Sequence, residues 1–443
     1  MAPMAPSPAV LARRGAAALA TAAVLCAAGA PAASADTPAA SASPSPKLPQ
    51  GLYGSKDPQY DGVWRQSLAL LAQHTVGVRP ARPAVDWLVG QQCSDGSFAA
   101  FRPDPAKACD GKTMRDTNQT AAAVQALAAL GGHGDAVGKA VAWLKSVQND
   151  DGSWSSMPGS PGDTNSTSVV IGALAAAGEK PESVTSKKGG KSPYDALVTF
   201  QIGCDAKDAE EGQRGAFAFQ PKDGKLTAND DATAAAALGG LGKGYVVDPA
   251  GKDVEEPVKG LSCEGSDKAD KSGKGGKEGA ERAAQGAAAY LVSVLDKNDH
   301  HLKSAMPGAG DQPDVGNTAD AVVALAAGSH GDAAQPPLKW LEKNSAAWAK
   351  EGGPAAYAQL VLAAHATGAD PRHFGGADLV AQLNATGPEP AGSAEPSATA
   401  EKDAKDAKDD EGGIQPWWIA GIVFVASAGV GFLISGRRKK NQH

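Results

Sequence analysis

Apolar residues fall along this chain in segments of helical length, separated by clusters of Gly, Asp, Asn, Ser and Pro. Almost no stretch alternates with the period of two that a half-buried strand needs. Helices are predicted to begin near residues 60, 82, 117, 136, 164, 193, 229, 281, 315, 335, 354 and 376. They alternate in kind. One is rich in Trp, Leu and Val, and the next in Ala and other small residues. Two sentences repeat along this pattern. Gln92-Cys-Ser-Asp-Gly96-Ser-Phe98 recurs as Gln148-Asn-Asp-Asp-Gly152-Ser-Trp154, each after a Trp-Leu pair, Trp87-Leu88 and Trp143-Leu144. Asp116-Thr-Asn-Gln-Thr120 recurs as Asp163-Thr-Asn-Ser-Thr167, each opening a small-residue helix. Self-similarity over a helix pair marks an array. Twelve helices make six pairs if the first (60–74) partners the last (376–384), which would close the array into a ring.

The repeats carry their own physics. The Gln side chain both donates and accepts, so it can tie the end of its helix to a neighbouring backbone. Gly96 and Gly152 suit the tight turn that follows, and Phe98 and Trp154 fold back to bury apolar area. Asp116 and Asp163 stand at N-cap positions, with Asn118, Thr120, Asn165 and Thr167 in the first turn.

The two ends differ in composition from the array. Arg13-Arg14, an apolar run and Ala33-Ser34-Ala35 predict a signal peptide over 1–35. Residues 36–59 read as a linker and 60–385 as the folded body, with a charged insertion at 250–280. Residues 386–413 read as a Pro-then-charged stalk. An apolar run over 414–435 has the ~20 residues of a membrane span. Trp417-Trp418 before it and the basic tail 436–443 after it predict an extracytoplasmic body on a single-pass anchor. A sortase signal would need a Leu-Pro-x-Thr-Gly-like site; Leu383-Asn-Ala-Thr-Gly387 lacks the proline. Four cysteines in the mature chain, Cys93, Cys109, Cys204 and Cys263, predict two disulfides outside the cell. Of three connectivities, Cys93–Cys109 and Cys204–Cys263 are favoured. No Cys-x-x-Cys pair or His spacing suggests a metal. A net charge of −7 with no basic stripe argues against nucleic acid.

The Gln-x-x-x-Gly-x-Trp/Phe sentence resembles the repeats of squalene–hopene cyclases and protein prenyltransferase β subunits. The Asp-Thr-Asn-x-Thr signature resembles the inner-helix signature of that superfamily, and equally the α domains of transcobalamin and intrinsic factor. The resemblance covers about residues 60–385. It implies an all-α (α/α)6 toroid, in which all inner helices run the same way and gather their N-termini at one mouth.

The superfamily holds enzymes and binders, and the residues separate them. The proton-donating Asp-x-Asp-Asp motif of the cyclases has its nearest match in Ala228-Asn229-Asp230-Asp231, where Ala228 replaces the first Asp. Asp230 and Asp231 are weak catalytic candidates and are expected to cap helix 229–241 in solvent. Aromatic residues are 5% of the chain, few for a cavity that stabilises carbocations, and no zinc set matches the prenyltransferases. The expectation is a non-catalytic surface module that binds a small molecule, a cobalamin-type ligand being one candidate, with no resident cofactor. It would present that molecule to a membrane transporter or a second binding protein. Candidate contacts are Asp116, Asn118, Thr120, Asp163, Asn165, Thr167, Asn229 and Asn317. A terpenoid-cyclase-like enzyme and an adhesive surface protein are the alternatives.

Overall fold

The computed structural model describes residues 49–393, apart from 207–208, 211, 250–254, 262, 264–274 and 306–310. The signal peptide, most of the linker, the stalk beyond 393 and the 414–435 run lie outside the described residues. No helix among the described residues is long and apolar enough to cross a membrane.

The described chain is all-α. Its helices are α1 (Gly62–Thr75), α2 (Arg82–Gly90), α3 (Thr117–Leu130), α4 (Gly134–Ser146), α5 (Thr164–Ala176), α6 (Pro193–Leu197) and α7 (Asp230–Gly240). They continue with α8 (Lys277–Lys297), α9 (Val315–Ala327), α10 (Gly331–Asn344), α11 (Ala346–Gly352), α12 (Pro354–Ala366) and α13 (Leu379–Asn384). The twelve expected helices are present within a few residues of their expected starts. The short α11 was not expected, and the helix expected from 193 stops after one turn and continues as a 3-10 turn over Val198–Phe200.

Six helices, five of them rich in small residues, form a closed inner ring. α1 packs on α3, α3 on α5, α5 on α7, α7 on α9, α9 on α12, and α12 returns to α1. Small residues permit this closeness. A side chain at Gly239 in α7 would collide with Ser168 in α5, and one at Gly240 with the backbone of Ala280 in α8. Six of the other helices lie outside, each packed on the inner helix that precedes it: α2 on α1, α4 on α3, α6 on α5, α8 on α7, α10 on α9 and α13 on α12; the short α11 packs on α12, which follows it. The pairing is therefore consecutive throughout. The expected pairing of the first helix with the last is not what closes the ring; the α12–α1 contact does.

The closure also recruits segments expected to be linker and stalk. Tyr53 is fully buried, donates its hydroxyl to Gln73 Oε1 at 2.9 Å, and receives support at its backbone N–H from Gln66 Oε1 at 2.8 Å. Gly387 lies against its ring. Val78–Arg79 (β1) pairs antiparallel with Gly392–Ser393 (β4). The body thus begins before residue 60 and ends beyond 385, because Leu52 and Tyr53 bury apolar surface that a free linker would leave in water.

The turn sentence works as expected, and a third copy exists. Gln92 Nε2 donates to Gly96 O and to Ala136 O of α4, at 3.0 and 2.8 Å. Gln148 Nε2 donates to Gly152 O, and Gln201 Nε2 to Gly215 O and to Ala283 O of α8. Gly96, Gly152 and Gly215 have φ of 94°, 90° and 93°. Each also lets the next outer unit approach: an added Cβ would lie 2.2 Å from Lys139 O, 2.4 Å from Ser192 O and 2.5 Å from Gly286 O. Phe98, Trp154 and Phe217 then turn inward and are fully buried. At ~25 cal/mol per Å2, an aromatic burying 150–250 Å2 contributes roughly 4–6 kcal/mol.

Both favoured disulfides are present, Cys93–Cys109 and Cys204–Cys263. They fit an extracellular protein.

Candidate functional site

The first turns of four inner helices, α3, α5, α7 and α9, are built alike. Asp116, Asp163, Asn229 and Asp314 each accept from the backbone N–H three residues on, at Gln119, Ser166, Ala232 and Asn317. Four threonines follow at one register: Thr120, Thr167, Thr233 and Thr318. Each hydroxyl donates to the carbonyl of its own N-cap residue. Each accepts from a turn backbone N–H, that of Phe98, Trp154, Phe217 or Leu302, at 2.9–3.1 Å. These threonines lock the turn to the helix and are fully buried.

This assigns most of the expected contact residues to structure. Asp116, Asp163 and Asn229 cap their helices, and Asn317 Nδ2 donates to Asp314. Thr120 and Thr167 point away from the ring interior into the turn. Asn118 and Asn165, second in α3 and α5, do reach a cavity on the ring axis.

That cavity has a volume of about 280 Å3 and is walled by all six inner helices. Its wall is layered. Trp64, Asn118, Asn165 and Asp231 stand in the first turns. Asp320 and Gln359, each sixth in its helix, lie about 6 Å deeper at 1.5 Å per residue. Gln125, Gly172, Leu238, Val323 and Leu362, each ninth, form the deepest layer. The far end is crossed by Lys243-Gly244-Tyr245. The Tyr245 N–H donates to Gln125 Oε1 at 2.9 Å, and Gly244 lies against Gly172. The same segment continues over the C-terminal ends of the inner helices. Asp248 meets His365 at 3.6 Å, Glu256 O lies 2.7 Å from His330 Nδ1, and Glu256 N–H donates to Ser329 O. The insertion expected from 250 is thus preceded by a floor for the cavity. Tyr245 rises from this floor and meets Trp64 edge-on at 5.8 Å between ring centroids.

The expected solvent-exposed caps Asp230 and Asp231 are neither. Asn229 is the cap. Asp230 turns outward and accepts from the Tyr290 hydroxyl at 2.8 Å, while Asp231 turns into the cavity and accepts from Asn165 Nδ2 at 2.7 Å. Burial raises both carboxyls. The Asn165 hydrogen bond opposes the rise at Asp231, and the charges of Asp314 and Asp163 add to it. Asp320 is pushed further, to about 7, by burial first and then by the charge of Asp231; the amide of Gln359, 3.3 Å from both its oxygens, opposes this. Asp320 keeps some accessible surface, but that surface faces the cavity. Burial and these two carboxylates raise the Tyr245 hydroxyl well above its ordinary value.

Asp320, Gln359, Gln125, Ser168, Trp64 and Tyr245 were not anticipated. The readable signal was a polar residue standing beyond the first turn of a mostly apolar inner helix: Asp320, the single charged residue of Val315–Ala327, Gln359 in the middle of Pro354–Ala366, and Gln125, the single polar residue in the second half of α3.

All four exposed large hydrophobic residues among those described lie at the mouth end. Tyr60 precedes α1, Met114 precedes α3, Met157 precedes α5, and Phe219 O accepts from Thr164 N–H at the start of α5.

No family model matches this chain. No curated protein matches it either. Among solved structures it is similar to a protein from Actinoplanes, at 14% identity over 72% of this chain and 92% of that one, with a TM-score of 0.43. It is also similar to a structure described as a wild-type glycosidase, at 11% identity over 70% and 99% of the two chains, with a TM-score of 0.31. Likeness at this level carries no functional argument.

Proposed function

We propose that this chain is an (α/α)6 toroid of the prenyltransferase/squalene-oxidase repeat type. In this reading it is an extracytoplasmic, membrane-anchored module that captures a small molecule without transforming it. The observation that carries the reading is the axial cavity: enclosed by six helices, floored by Lys243–Tyr245, and furnished with carboxylates and amides among apolar walls. Such a mixture is the usual make-up of a small-molecule site. Its polar groups are already fixed by one another, Gln359 on Asp320 and Asn165 on Asp231, as preorganised binding requires. At about 280 Å3 it suits a ligand the size of an amino acid or a monosaccharide. A corrinoid macrocycle is wider and would have to lie across the mouth.

A partner-binding role has its own support in the apolar rim formed by Tyr60, Met114, Met157 and Phe219. A transporter or second binding protein would dock there and cover the mouth.

The test is thermal unfolding of the full chain in detergent with a panel of amino acids, amines, sugars, corrinoids, prenyl phosphates and triterpenes. A ligand at a hundredfold over Kd stabilises by roughly 2.7 kcal/mol, a visible rise in Tm. A rise that saturates, with the compound recovered unchanged, supports capture. Turnover of the bound compound would replace it with the enzyme reading. No rise with any class would remove it.

A further inference from the structure

We infer that the ligand of the axial cavity is a small organic cation with N–H donors, such as a protonated amine, held between Asp231 and Asp320. The inference rests on the capture reading and names its ligand class.

The charge around the cavity is one-sided. Asp231 on α7 and Asp320 on α9 line the same space, and the charge of Asp231 acts on Asp320. The N-cap carboxylates Asp314 and Asp163 add to the negative field at that end. Lys243 is the single lysine or arginine among the described lining residues; it is exposed and is not among the charges that act on either carboxyl. A buried carboxylate pair with no counter-ion is costly, because each charge has lost its water and repels the other. The opposing influence is the positive ends of the inner helices, which favour anions. Four of those six ends already carry their own caps, at Asp116, Asp163, Asn229 and Asp314, while α1 and α12 have no side-chain cap. The carboxylates therefore set the sign of the site.

The hydrogen-bond supply points the same way. A carboxylate offers about four lone-pair sites. Asp320 and Asp231 each receive from one amide side chain. Among the lining residues, Asn118 Oδ1, Asn165 Oδ1 and Ser168 Oγ have no hydrogen-bond partner, and Ser168 is only 5% exposed. Asn165 Oδ1 is identified as the acceptor because its Nδ2 is committed to Asp231. Two of these three atoms are acceptors and Ser168 Oγ can act as either, so an ammonium or amidinium group, which supplies donors and positive charge together, can meet all three. Trp64 and Tyr245, edge to face in the same space, add an aromatic surface that attracts a cation. A neutral polyol would leave the two carboxylates uncompensated, and an anion would add to the repulsion.

The experiment uses the full chain at pH 8 and matched compounds that differ only in charge. These are benzylamine, benzyl alcohol and benzoate, with ethanolamine, ethylene glycol and glycolate as the smaller set. The expected result is a saturable rise in Tm with at least one amine and none with the alcohol or acid of the same skeleton. In Asp320→Asn and in Asp231→Asn that amine's Kd should weaken tenfold or more. The surface change Asp332→Asn should leave it unaltered. Near-UV circular dichroism checks that each variant keeps its packing. Stabilisation by an alcohol or acid equal to that by its amine would overturn the cation while leaving capture intact. So would an unchanged Kd in both cavity variants. If neither amine acts but another class of the wider panel does, the cation is again wrong and capture survives. Silence across both panels removes both.

Discussion

Asp320 offers the sharpest test of the cavity as a physical object. Its carboxyl is raised from 3.8 to about 7, by burial and by the nearby charge of Asp231. Below about pH 4 both the folded and unfolded chains hold the proton, and the group does not affect stability. Between about 4 and 7 the unfolded chain releases the proton while the folded chain retains it, so stability falls as pH rises. Above about 7 both are ionised and the loss is complete. At about 1.4 kcal/mol per pH unit, the interval sets a ceiling of about 4 kcal/mol, and water in the cavity should leave roughly 2–4. Asp320→Asn removes the titration but keeps the shape and an oxygen that Gln359 can still meet. Asp116, Asp163, Asp230 and Asp231 are shifted in the same direction, so the readout is the difference between wild type and variant. Urea unfolding of the full chain at pH 4.5 and 8.5 should show the wild type losing about 2–4 kcal/mol more than the variant. The variant should be the more stable protein at pH 8.5. Equal losses, or a less stable variant at pH 8.5, would refute the assignment of Asp320 to an enclosed site shared with Asp231.

Three other outcomes follow from the fold. Thr167→Val keeps the shape but strands the Trp154 N–H in the core, and should cost about 1–3 kcal/mol in urea unfolding; Thr167→Ser should stay within about 1 kcal/mol of wild type. Gly152→Ala meets both a φ of 90° and a Cβ position 2.4 Å from Ser192 O. It should lower Tm well beyond Gly224→Ala, where φ is 73° with nothing within 4 Å and only the roughly 1–2 kcal/mol backbone term applies. Replacing Cys93 and Cys109 together by Ser should cost on the order of 3 kcal/mol, the chain-entropy value for a loop of this length; an unchanged unfolding midpoint would show that the hydrogen bonds of Arg102 to Gly90 O, Gln92 O and Pro105 O and of Arg115 to Asp95 and Thr113 O already hold this loop.

What could be read from the sequence was what is local. An N-cap needs a side-chain oxygen at a fixed offset from a helix, so Asp116 and Asp163 announced their helices. The turn sentence needs Gln, Gly and an aromatic at fixed spacing, so its first two copies were legible. The third was hidden by length alone: Gln92 to Phe98 is six residues, but Gln201 to Phe217 is sixteen, the extra ten carrying Cys204. The ends misled for the opposite reason. A Pro- and Ser-rich composition suggests a linker, yet Tyr53 finds Gln66 and Gln73, and the chain near 392 returns to β1. Those pairings exist only after the ring has closed.

The candidate contacts were divided by helical phase. Successive residues turn by about 100°, so Asn118 and Thr120 lie about 200° apart, on opposite sides of α3. The same holds for Asn165 and Thr167. One residue of each pair must face the axis and the other the turn, and the buried Phe98 and Trp154 N–H groups claim the threonines. The axial phase then propagates down each helix in steps of seven residues, about 700° and so nearly in register. Asn118 leads to Gln125, Asn165 to Gly172 and Asp231 to Leu238, all on the cavity wall. Asp320 sits four residues after Gly316, the α9 counterpart of Asn118, Asn165 and Asp231, about 40° from the same phase. A single assignment of which first-turn residue faces inward therefore fixes the polar inventory of the site. That inventory contains two carboxylates and no lysine or arginine on the inner helices themselves.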